Sequence, residues 1–176
     1  MPRIPYPEGA AELPAYQPGN IRTLNVERML CYLPDNIRAE LGTLGKTLLW
    51  RGALDPVYRE LALVRVGHLC HSAYELHHHK AFARTVGISE TQLEGLRTGD
   101  LSSAFTPSQR AVLAFTDDIV NNVRASDQTL EPLQKHLSNS EIMELMVVVG
   151  YYASLCRILE TFGPEIDDFA LAPTPR

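Results

Sequence analysis

The sequence contains no glycine-rich phosphate loop, no dinucleotide-binding fingerprint and no recognisable nucleic-acid module, so nothing in it points to nucleotide chemistry. Positive charge is not in excess either. The formal net charge is -5, so no global basic field favours nucleic acid or an anionic membrane. Cysteine is scarce: Cys31, Cys70 and Cys156 are odd in number and far apart, which implies no disulfide framework. No Cys-x-x-Cys pair offers thiol redox chemistry, and each cysteine reads first as a small apolar core residue. No Gly-x-Ser-x-Gly elbow presents a serine nucleophile. The opening Met1-Pro-Arg-Ile-Pro-Tyr-Pro7 is broken by proline and has no apolar targeting core. The most apolar stretch, Met146 to Cys156, is too short and too polar at its tyrosines to span a bilayer. A cytoplasmic protein is the expectation. No run alternates apolar and polar residues with period two, so strands are not expected.

What the chain does have is helix punctuation. Its 176 residues favour one domain. Val26, Met29, Leu30 and Leu33 follow helical spacing, as do Leu41, Leu44 and Leu48. Asp55-Pro56 reads as an N-cap followed by proline in the first helical position. The helix from Val57 to about Cys70 is apolar on most sides, which predicts burial at the centre of the fold. A second helix is predicted from about Ser72 to Val86, closed near Gly87. Ser89-x-x-Gln92, Thr106-x-x-Gln109 and Ser138-x-x-Glu141 are capping boxes that open three more helices. The second of these is predicted to run through Val123, and Ser126 or Thr129 opens a short helix to Leu137. The reading is all-α, a bundle of about seven to eight helices. Five of the first 18 residues are proline, and Pro164, Pro173 and Pro175 break up the other end. The expected organisation is an extended arm over 1–22, a helical domain over 23–166 and a tail over 167–176. Arms of this kind lie in solvent or across a partner subunit.

The chemistry-bearing stretch is Glu60 through His79. Ser72, Glu75 and His79 share one helix face at i, i+3 and i+7, with Tyr74 one position off that stripe. If the two helices pack antiparallel through a tight turn near His71, Glu60 and His79 lie at the same end of the pair. A carboxylate and an imidazole together in an apolar bundle can relay a proton, because burial raises the carboxyl pKa and a neighbouring carboxylate raises that of histidine.

This segment resembles the signature hairpin of the carboxymuconolactone decarboxylase and alkylhydroperoxidase D superfamily. In the peroxidase branch a Glu is followed twelve residues on by Cys, then Cys three on, then His four on. Glu60 and His79 match the Glu and the His, while Ser72 and Glu75 stand at the two cysteine positions. Val149-Gly-Tyr-Tyr152 and Arg157-Ile-Leu resemble the family's last helix. The resemblance implies an oligomer, trimer or hexamer, and a branch without the redox pair. It implies acid/base chemistry on a small acidic or lactone-like substrate.

The expectation is a cofactor-independent enzyme for decarboxylation, isomerisation or lactone chemistry of a small organic acid or ketone. Glu60 and His79 form the proton relay. Tyr74 and Glu75 orient substrate or stabilise developing charge, Ser72 contributes to substrate binding, Tyr151 or Tyr152 walls the pocket, and Arg157 is a carboxylate anchor. Each assignment has a plainer counterpart. Glu60 also suits a helix's first turn, Tyr74 an amphipathic core, and Ser72 reads as an N-cap before a nucleophile. Glu75 also suits fixing the His79 tautomer. His77 and His78 point away from His79, by about 100° per residue, and read as solvated or at a subunit contact. His71, Glu75 and His78 fall at i, i+4 and i+7, a spacing that suits zinc or iron, yet they do not form a His-Glu-x-x-His motif, and no metal is expected. The competing readings are a non-catalytic ligand-binding or scaffold module, and residual peroxide reduction through Cys70.

Overall fold

The computed structural model describes residues 1–10, 22–100 and 103–171. Among them the chain forms eight α-helices and one 3-10 turn: α1 Asn25–Met29, α2 Asp35–Trp50, α3 Pro56–Leu69, α4 Ala73–Thr85, α5 Glu90–Thr98, α6 Pro107–Asn121, α7 Asp127–Gln134 and α8 Asn139–Phe162. The 3-10 turn, Leu30–Tyr32, continues α1 until Pro34 blocks further winding. No strand occurs among the described residues.

The helix starts are set by short-range chemistry. Ser89, Thr106 and Ser138 each accept from the backbone N–H three residues on, with the Gln or Glu there reaching back. Asp55 caps α3 by accepting from Val57 N–H at 2.7 Å. The expected helix through Val123 stops earlier. α6 ends at Asn121 because Asp118 turns its carboxylate onto the next segment, accepting from Ser126 N–H at 2.6 Å and from the Thr129 hydroxyl at 2.6 Å. Val123 is thereby left at full exposure, 105%.

α3 is the central element and packs against α4, α5, α6 and α8. Its apolar residues serve two cores at once. Ala62, Leu63 and Val66 pack with α6 and α8, while Leu61 and Val64 pack with α5 and the end of α4. This explains why α3 has no polar stripe: it has no solvent side on which to place one. α8 is 24 residues long and apolar enough, at mean hydropathy 1.6, to cross a membrane by length and composition. Here its Leu145, Val149, Ala153 and Cys156 are buried against α3 and α6.

The described parts of both proline-rich ends lie against their own chain. Arg3 N–H donates to the Phe162 carbonyl at 2.8 Å, and Tyr32 Oη donates to the Pro5 carbonyl at 2.8 Å, so residues 1–10 lie along their own chain. At the other end Gly163, in a left-handed conformation with φ 63°, turns the chain back. The segment 164–171 then runs over α4 and α1 as a strap. The remainder of each predicted arm, 11–21 and 172–176, lies outside the described residues.

Candidate active site

α3 and α4 form an antiparallel hairpin. Its corner is Cys70-His71, with His71 in the left-handed region at φ 54°, a conformation His tolerates better than most residues. Glu60, one turn into α3, therefore meets His79, six residues into α4. Glu60 is fully buried. It accepts from Arg59 Nε at 2.9 Å on one oxygen and is bonded to His79 Nδ1 at 2.8 Å through the other. His79 Nε2 lies 3.4 Å from a Glu75 oxygen. His79 is thus held between two carboxyl groups, with the Tyr152 ring edge-on at 4.9 Å.

Burial pulls the His79 pKa down, but the charge and hydrogen bond of Glu60, with Glu75 adding, more than reverse it, and the net shift is upward. Glu75 is pushed up to about 7, first by burial and then by Glu60, against the pull of His79. Both groups are thus shifted upward, His79 by the carboxylates beside it and Glu75 by burial. This has a consequence for stability. The unfolded chain releases the Glu75 proton near 4.5 while the folded chain keeps it to about 7, so stability falls as pH rises between those values. Glu75→Gln is expected to raise Tm relative to the parent more at about pH 8 than at about pH 5, where Glu75 is already neutral. Equal gains at both pH values would contradict the shift.

A second cluster lies next to the first on α4. Asp167 of the strap accepts hydrogen bonds from the Tyr74 hydroxyl, from His78 Nε2 at 3.1 Å and from the Asn25 N–H at 3.0 Å. His78 Nδ1 accepts from Leu171 N–H at 3.1 Å, which fixes its tautomer with the proton on Nε2. His77 Nε2 donates to the Phe169 carbonyl at 2.9 Å. His77 and His78, expected in solvent or at a subunit contact, are instead covered by the strap of the same chain. Burial lowers the pKa of His78, with Asp167 opposing. Burial also raises the Tyr74 hydroxyl, with Asp167 adding.

A pocket of about 80 Å³, partly open to solvent, is bounded by α1, α2, α4, α8 and the strap. Glu75, His79, Tyr74 and Tyr152 line it, as do Glu27, Gly42, Gly45, Tyr151 and Leu171. Glu27, missed in the sequence, is pushed up to about 7, chiefly by burial, although it accepts from Leu24 N–H at 3.0 Å. Its only sequence signal is the third helical position of a cap whose first member is Leu24 rather than Ser or Thr. Tyr151 donates to the Leu41 carbonyl at 2.9 Å and is pushed up to about 12, again chiefly by burial. The ring fits only because residue 45 is glycine: a Cβ there would sit 2.6 Å from the Tyr151 hydroxyl.

The other predicted site residues are placed elsewhere. Tyr74 lines the pocket, but its hydroxyl donates to Asp167, so that donor is not available to a developing oxyanion. Arg157 is exposed and bonds the Ala153 carbonyl at 2.7 Å. It does not line the pocket, because it falls on the outer face of α8, which the spacing alone could not orient. Ser72 holds the N-cap position of α4, yet its hydroxyl caps nothing and is buried without a hydrogen-bond partner. His71 is exposed at the hairpin corner, apart from His78 in the strap network. Among the described residues no three His, Cys, Asp or Glu side chains gather as metal ligands.

The family model of the carboxymuconolactone decarboxylase family matches residues 38–118, which hold the whole α3–α4 hairpin. The fold is also that of a peroxidase-related alkylhydroperoxidase D core protein from Ralstonia eutropha JMP134, at TM-score 0.79. Over residues 38–118 the chain is similar to the carboxymuconolactone decarboxylase family, and its fold is alkylhydroperoxidase D-like. Identity to the Ralstonia protein is 22%, over 96% of this chain and 93% of that one. A peroxidase-related protein from Silicibacter sp. TM1040 gives TM-score 0.74 at 17% identity, over 85% and 78%. The debrominase Bmp8 gives 0.66 at 14%, over 82% and 77%. No curated protein sequence matches the chain. Set against the hairpin pattern that the sequence resembles, this chain has the Glu and His as Glu60 and His79, and Ser72 and Glu75 at the two cysteine positions. Those two positions cannot close a disulfide.

Proposed function

We propose that the chain is a cofactor-independent acid/base enzyme that moves a proton on a small neutral carbonyl compound, such as a ketone or lactone. The observation that carries this reading is the position of His79, buried between Glu60 behind it and Glu75 in the pocket wall. Glu60 holds the imidazole by Nδ1, so Nε2 is the nitrogen turned to Glu75. Glu75 then takes the proton from the carbon acid and shares it with His79. Glu27, across the same pocket and also shifted to about 7, is suited to protonate the far side of the product. Two carboxyl groups tuned near the working pH are what general acid and general base catalysis require.

The choice of a neutral substrate follows from the lining. Among the described residues no lysine or arginine lines the pocket, whereas Glu27 and Glu75 both do. An organic acid, one of the two expected substrate classes, would bring its charge beside two carboxyl groups, and the cation that acts on Glu27, Lys46, is not among the lining residues.

The test is hydrogen–deuterium exchange at the acidic carbon of a panel of small ketones and lactones, followed by NMR. His79→Asn and Glu60→Gln are each expected to lower the exchange rate at least ~100-fold. Undiminished exchange in both overturns the relay. Gly42→Leu is the control for the pocket. A Cβ at Gly42 meets nothing within 4 Å, and leucine is the better helix former, so this variant is expected to stay folded and lose turnover.

The working form is proposed to be a homo-oligomer. Ile37, Leu44, Met143 and Val147 are large apolar side chains exposed on α2 and α8, two helices that touch each other. Covering them is a reason to assemble. Light scattering is expected to return a multiple of 19.6 kDa, and a monomer contradicts it.

A further inference from the structure

Two glycines of α2, Gly42 and Gly45, line the pocket. Glycine inside a helix is less stable than alanine, because it gives up more backbone freedom on folding. Neither of these has a positive φ, so no turn demands it. Gly45 has a reason in packing. It is buried, and a Cβ there would sit 2.6 Å from the Tyr151 hydroxyl. Gly42 has no such neighbour, since a Cβ there meets no atom within 4 Å. What lies beside it is the pocket, and a side chain at position 42 would take up the room inside.

That room is limited. The pocket holds about 80 Å³, well below the roughly 300–1,000 Å³ of sites that bury drug-sized molecules. In so small a space a single methyl group decides what fits. The carboxyl and imidazole groups of the lining come from α1 and α4, as Glu27, Glu75 and His79, while α2 contributes Gly42, Gly45 and Leu49. The α2 wall is thus bare backbone and hydrocarbon, with no side chain for a polar substituent to bond.

We propose that Gly42 sets the size of the molecule the pocket accepts: the α2 backbone it leaves bare is the surface on which the hydrocarbon part of a compact ketone or lactone rests. The inference rests on the pocket being the substrate site, as proposed above, and adds the residue that selects among substrates. Alanine at position 42 fills the space of one methyl group. A ring that just fits the parent then overlaps that methyl, while a smaller ring is still accepted. The selection acts through volume alone and is separable from the transfer of a proton.

The test uses the full chain with cyclobutanone and cyclohexanone as probes, and reads binding from the protein's NMR chemical shifts. The parent is expected to bind both. Gly42→Ala is expected to melt at a higher temperature, since alanine is the better helix former and its Cβ clashes with nothing. It is also expected to weaken cyclohexanone at least ~10-fold more than cyclobutanone. The higher Tm separates this loss from misfolding. Binding is read rather than turnover, so the two readings fail separately. A parent that binds both ketones, with the loss confined to cyclohexanone in Gly42→Ala, supports size selection even where no deuterium exchanges, a result that overturns the proton-transfer reading alone. Equal weakening of the two ketones in Gly42→Ala, no weakening, a lower Tm, or a parent that binds neither ketone overturns the proposal.

Discussion

Glu60→Gln is expected to cost about 3 kcal/mol of stability in denaturant melts and to drop the pKa of His79 below the ordinary 6.5. The side chain is fully buried, so water does not screen what it holds. The substitution keeps the shape but removes the only negative charge bonded to Arg59 Nε and His79 Nδ1. The Arg59 guanidinium is then a buried cation without a counterion, which is the expensive outcome of breaking a buried pair. His79 keeps the burial that lowers its pKa and loses the charge that raises it. Imidazole NMR through a pH titration reads the second effect directly. A His79 that still titrates above 6.5 in the variant would mean that Glu75 alone sustains the shift, and the relay would need to be redrawn around Glu75.

Asp167→Ala is expected to cost about 3–5 kcal/mol, since two buried donors and one half-buried donor lose their acceptor at roughly 1–3 kcal/mol each and part is recovered as the strap lifts into water. Those donors are the Tyr74 hydroxyl, the His78 Nε2–H and the Asn25 N–H. Proteolysis after Gly163 should become faster, and the pocket should lose the wall that Leu171 provides. Burial raises the Asp167 pKa, but the bonds from His78, Tyr74 and Asn25 outweigh it and the net shift is downward. A carboxylate with a depressed folded pKa contributes stability above its unfolded value and loses it as pH falls through the folded one. The stability gap between parent and variant is therefore expected to narrow below the ordinary aspartate value of 3.8. A gap that stays constant into strong acid would show that the carboxylate's charge contributes nothing.

These two residues mark the limit of what the chain discloses in linear form. Glu60 and His79 are 19 positions apart, joined by one tight turn, so helical spacing and a hairpin bring them together on paper. The capping boxes at Ser89, Thr106 and Ser138 and the Asp55-Pro56 start are chemistry within three residues, and they locate helices well. Asp167 meets Tyr74 across 93 positions, from a proline-broken segment with no periodicity to read. Glu27 is hidden for a similar reason. A five-residue helix has too few positions to show which side faces a pocket. Arg157 and Ser72 illustrate a different gap. Their helices were legible, but the face that Arg157 occupies and the hydroxyl that Ser72 leaves unpaired depend on neighbours from other elements.

His78 and His79 are adjacent in sequence, yet each belongs to a different network, one with the strap and one with Glu60. Consecutive helical residues point about 100° apart, and that offset alone keeps the two networks separate. Between Ser72 and His79, α4 therefore tolerates a change of residue far better than a change of length. One inserted residue would swing His78 to where His79 belongs and leave Asp167 facing His77. Homologous hairpins can be expected to drift in composition across this span while their residue count stays fixed.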